Sequence, residues 1–151
     1  MFSNKKRLSF IVVALIVASV LWWGLPRSYQ KHENPRSLES LSRVAAELNR
    51  SVPVLIDKET ELLSTTGAEA MLIYNYRLVR YSLSQLDPNQ FTTRIKPGLT
   101  RNACNRAETR EEFLNKRITL RYVYFDKDKQ HIATIDVTSE DCGFNKPAPG
   151  L

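Results

Sequence analysis

The 151-residue chain holds two cysteines, two histidines and five glycines. So small a stock of ligand-type residues argues against a metal centre, and neither His32 nor His131 has ligand spacing to a cysteine. With so few glycines there is no loop to cradle phosphate. There is also no G-x-S-x-G or H-E-x-x-H, the spacings that place a nucleophile or a metal beside its base. No block of like charge occurs, which excludes the clustered basic face that nucleic-acid binding needs. No cofactor is expected, and no catalytic constellation can be assembled from the residues.

What is present is a long apolar run at the start. Leu8 to Leu25 reads LSFIVVALIVASVLWWGL, led by Lys5, Lys6 and Arg7 and closed by Pro26. A span of roughly 17–25 apolar residues matches the hydrocarbon core of a bilayer. A cleaved signal peptide competes, since Val17-Ala18-Ser19 is a small-residue site. The run continues past it through Trp22 and Trp23, however, where aromatic side chains would meet the far interface. The expectation is a single-pass anchor in the inner membrane. Lys5, Lys6 and Arg7 hold residues 1–7 in the cytoplasm, residues 8–26 cross the bilayer, and the rest is exported to the periplasm.

Three of the 22 basic residues precede the apolar run and none of the 16 acidic ones does, so the remainder carries about +3. That is a mixed, solvated surface, with Arg27, Lys31, Arg36 and Arg43 placed to meet anionic headgroups. Cys104 and Cys142 are an even pair in an exported domain, which predicts a disulfide. Closing a loop of about 40 residues stabilises by roughly 3–4 kcal/mol on the chain-entropy model.

Residues 27–36 are polar and proline-bounded, a juxtamembrane linker. Ser37 is an N-cap ahead of Leu38, Leu41, Val44, Ala45 and Leu48, one apolar face of a helix. Val54 to Leu63 is extended and interrupted by DKETE, and Ser64 to Gly67 reads as a turn. Met71 to Val79 alternates as a strand, with Leu72, Tyr74, Tyr76 and Leu78 on one face; its tyrosines read as core. Asp87-Pro88 opens a helix that Pro97-Gly98 breaks or kinks, and Thr109 to Glu112 has capping-box spacing. Residues 118–125 and 131–137 form a hairpin around Asp126 to Gln130. The spacing predicts an α+β domain over 37–142, an antiparallel sheet with helices packed on one face, and a tail over 143–151.

Two acidic groups bear on chemistry. Asp57, Glu59 and Glu61 alternate and would project to one side as a charged strand edge, and Asp126 and Asp128 read as turn residues. His131 opens a strand beside that turn and reads as solvent-exposed. A pilin-like reading fails, because no glycine lies within residues 1–10 and the apolar run carries no acidic residue.

The stretch from Cys104 to Cys142, with LRYVYFDKDKQHIATIDVT between, resembles the C-terminal part of small bacterial membrane-anchored envelope proteins. That group shares an L-x-Y-x-Y strand, an Asp-Lys turn, an I-x-T-I-x-V strand and a closing cysteine. The resemblance covers about a third of the chain and implies a fold without an activity. It differs at Lys129, where that group favours glycine. The functional expectation is a non-enzymatic, membrane-tethered extracytoplasmic domain that binds another envelope protein. The alternative is a small inhibitor or immunity-type protein acting against an exported enzyme or toxin.

Overall fold

The computed structural model describes residues 34–144. The expected tail, anchor and most of the linker, with Lys5, Lys6, Arg7, Trp22 and Trp23, therefore lie outside the described residues, as does the segment after Phe144. Among the described residues no helix is long and apolar enough to cross a membrane.

Helix α1 (Leu38–Leu48) starts at Ser37, whose hydroxyl accepts from the Ser40 N–H. It buries Leu41 and Ala45 and leaves its charged face in water. Strand β1 (Val54–Leu55) follows and pairs antiparallel with β2 (Thr60–Ala68). The expected turn at Ser64 to Gly67 is instead the middle of β2, paired residue by residue with β3 (Met71–Leu78). Short polar residues signal turns locally, but here the ladder to β3 takes up their backbone groups. Asn49, at the end of α1, adds to this by bonding both backbone groups of Thr65.

Helix α2 (Pro88–Asn105) is capped by Asp87, which accepts from the Asn89 and Gln90 N–H groups. It runs unbroken through Pro97, contrary to the expected break. Pro97 is exposed, and the carbonyl it leaves without a donor, that of Thr93, also lies on the exposed face, where water can satisfy it. Helix α3 (Ala107–Glu112) starts at Arg106, so Thr109 sits inside the helix and not at its cap. Strands β4 (Thr119–Phe125) and β5 (His131–Val137) form the expected hairpin. Lys129 adopts φ 65°, the left-handed conformation that glycine would take freely.

The sheet order is β1-β2-β3-β4-β5, and it is mixed. The expected antiparallel sheet is corrected at its centre, where β3 and β4 run parallel with Leu72 beside Leu120, Tyr74 beside Tyr122 and Tyr76 beside Tyr124. The connection through 79–118 carries α2 and α3 and is long enough for the crossover a parallel pair requires. The helices pack on one face, as expected. Ala45 of α1 and Ala103 of α2 join Leu72, Tyr76, Leu120, Ile135 and Val137 in a single core. The other face is mixed, with Ile73, Val123 and Phe125 among its apolar residues and ion pairs between them: Arg121 bonded twice to Asp136 and Arg77 paired to Glu61.

Candidate functional site

Cys104 and Cys142 are bonded, with Cα atoms 5.5 Å apart and a sequence separation of 38. The bridge ties the end of α2 to the turn after β5 and holds that helix over the sheet.

Between α2 and the β1 side of the sheet lies a groove of about 660 Å³. Its floor is aromatic. The parallel register of β3 and β4 sets Tyr74, Tyr76, Tyr122 and Tyr124 on one face, their rings stacked at centroid distances of 5.5, 6.2 and 5.3 Å for successive neighbours. Phe91 of α2 meets Tyr124 edge-on at 5.1 Å and closes one end of the row. Leu99 and Ala103 form the α2 wall, Ile56 faces them, and Asn102, Asn105, Arg106 and Thr109 make the rim.

Burial pushes the Tyr74 phenol up to about 12, and the Arg106 guanidinium pulls against that shift. Tyr76 and Tyr122 are raised by burial and by neighbouring phenols. The floor is a row of neutral hydroxyls that can donate or accept at physiological pH. The alternation assigned Tyr74 and Tyr76 to the core and put Tyr122 and Tyr124 on one strand face; Tyr76, Tyr122 and Tyr124 join the core and Tyr74 packs against it. Sequence reasoning missed that three of them also line a groove, and it missed Arg106, Asn102 and Asn105 altogether. Tyrosine in place of phenylalanine at alternating positions of two strands was the available signal, since each hydroxyl asks for a polar neighbour.

The other candidates separate. Asp57, Glu59 and Glu61 form no common edge. Asp57 accepts from the Glu59 and Thr60 N–H groups, Glu59 accepts from the Tyr81 hydroxyl, and Glu61 pairs with Arg77. Asp126 is more than a turn residue. It is buried and accepts from the N–H groups of Leu83, Asp128 and Gln130, which ties the β4–β5 turn to the chain ahead of α2. His131 is exposed, with its ring against Phe125 and a bond to Thr134. Among the described residues no three side chains of histidine, cysteine, aspartate or glutamate gather to hold a metal. A second, smaller hollow of about 400 Å³ lies between α1 and Phe113, Lys116 and Ile118.

No protein-family model and no curated protein matches the chain. Solved structures do share its fold. The pilotin EpsS of the Vibrio vulnificus type 2 secretion system superposes with a TM-score of 0.57 at 15% identity, over 70% of this chain and 90% of that one. The type II secretion system pilotin AspS of Vibrio cholerae gives 0.55 at 17% identity, over 70% and 91%. A protein of Pseudomonas aeruginosa described as secreted gives 0.60 at 20% identity, again over 70% and 91%. These likenesses show the fold alone: an α+β domain whose architecture two secretion-system pilotins share.

Proposed function

We propose that this chain is a non-enzymatic binding domain of the bacterial cell envelope, which receives a segment of another envelope protein in the tyrosine-floored groove. The apolar run at 8–25 tethers it at the membrane, and the domain works on the oxidising side. The observation that carries the reading is the groove itself: ring faces for apolar contact, hydrogen-bonding groups along one rim, and a width left open between helix and strand. Pockets of this character bind by shape and a few polar contacts. Pilotin folds of similar size and topology support a partner within a secretion apparatus. The disulfide supports an oxidising compartment.

A photo-crosslinking amino acid placed at Asn102 on the groove rim tests the proposal in intact cells, against one at Thr134 on the opposite sheet face. A discrete adduct from position 102 and none from 134 is expected. No adduct at 102, or the same adduct at both, overturns it.

A further inference from the structure

Resting on the groove as the docking site, we infer that its occupant is an apolar segment bearing a carboxylate, and that Arg106 receives the carboxylate. Of the ten residues lining the groove, Arg106 alone is charged. It stands at the junction of α2 and α3, where its φ of −75° and ψ of 114° end one helix and begin the next. Its side chain is exposed, and no carboxylate of the described residues pairs with it. Asp57, whose charge reaches Tyr124, does not line the groove.

A second observation points to the same chemistry. The rings of Tyr76 and Tyr122 are buried, but their hydroxyls and that of Tyr74 bond to no other described residue and open onto the groove. Such hydroxyls are open to water or to a ligand. These three line the groove and reach its solvent. With Arg106 they make a site rich in donors, and burial keeps the phenols protonated.

A carboxylate supplies two oxygens and about four lone-pair sites, and a guanidinium matches it in a two-pronged geometry. A lysine or arginine in the same place would bring a second cation beside Arg106 and repel it. The flanking walls, Leu99, Ala103 and Ile56, ask for apolar side chains on either side of the acid.

The full chain in detergent micelles is titrated with an end-blocked amphipathic peptide carrying leucines at i, i+3, i+4 and i+7 and one central glutamate. Glutamine and lysine versions serve as comparisons, and the tyrosine resonances report binding. The glutamate peptide is expected to bind about tenfold tighter than the glutamine one, the usual worth of a charge-assisted hydrogen bond. Lysine is expected to bind weakest. Arg106→Glu should invert the order without altering the thermal melt, since the side chain is exposed. Equal binding by the three peptides, binding by none, or an order unchanged in Arg106→Glu overturns the inference.

The groove reading itself is separated by Asn102→Trp, which blocks the rim. If that change removes the cross-linked partner of the intact cell, read from a probe at Thr109, and Arg106→Glu does not, the groove stands and the carboxylate falls. If neither change removes it, both fall.

Discussion

Gly67 of β2 lies directly beneath the Leu41 backbone of α1: a Cβ built on Gly67 would stand 2.3 Å from the Leu41 carbonyl carbon and 2.3 Å from the Ser42 nitrogen. The absent side chain is what lets α1 rest on the sheet backbone to backbone. Gly67→Ala must push the helix outward, because the obstacle is main chain and cannot rotate away. A loss of about 3 kcal/mol or more is expected, the upper range for overpacking, read by urea denaturation. Gly98→Ala is the control. Nothing lies within 4 Å of its Cβ position in the middle of α2, so it should stabilise by roughly 0.5–1 kcal/mol.

Thr65 is buried beside Tyr74, and its hydroxyl has no hydrogen-bond partner. Thr65→Val keeps the β-branched shape that suits the strand and removes the orphaned hydroxyl. A gain of about 1 kcal/mol is expected. Chemical denaturation with an unchanged slope would check it, and a destabilised variant would contradict it.

Loss of the Cys104–Cys142 bridge frees the end of α2 from the turn after β5. The double change Cys104→Ala and Cys142→Ala should lower stability by roughly 3–4 kcal/mol. The expected signature is a melting temperature that falls in the wild type under reductant and is indifferent to reductant in the variant.

The pH limits follow from opposite signs. Burial raises the Asp126 carboxyl, but its three backbone N–H donors prevail and hold it below the usual 3.8. Asp136 is held low chiefly by its bonds to Arg121. Such depressed groups contribute stability that is present above about pH 4 and lost as pH falls through their folded values. Asp126→Asn and Asp136→Asn should each flatten the acid limb of the stability profile. Burial pushes the Tyr74 and Tyr124 phenols up to about 12, so their contribution is complete below about pH 10 and declines as pH rises toward that value. A tyrosine absorbance titration should show their ionisation delayed until the domain unfolds in base.

Local features of this chain were settled by near neighbours in sequence. Ser37 before an apolar stripe starts α1 because the cap hydroxyl reaches an N–H three residues on. Period-two alternation makes β3, β4 and β5 because one face of each is buried. The Asp126 to Gln130 turn closes the hairpin even though Lys129 stands where glycine would be easier. Each of these rests on contacts within a few residues, which the order of side chains records. Tertiary structure decided the rest. Whether β3 and β4 run parallel depends on where a long connection returns, and no short window contains that. Ser64 to Gly67 became strand because β3 lay alongside, and α2 continued through Pro97 because that side of the helix faces water. The groove is the furthest consequence. Tyrosines from two strands and an arginine from a helix junction acquire a common purpose only after the parallel pairing sets them side by side.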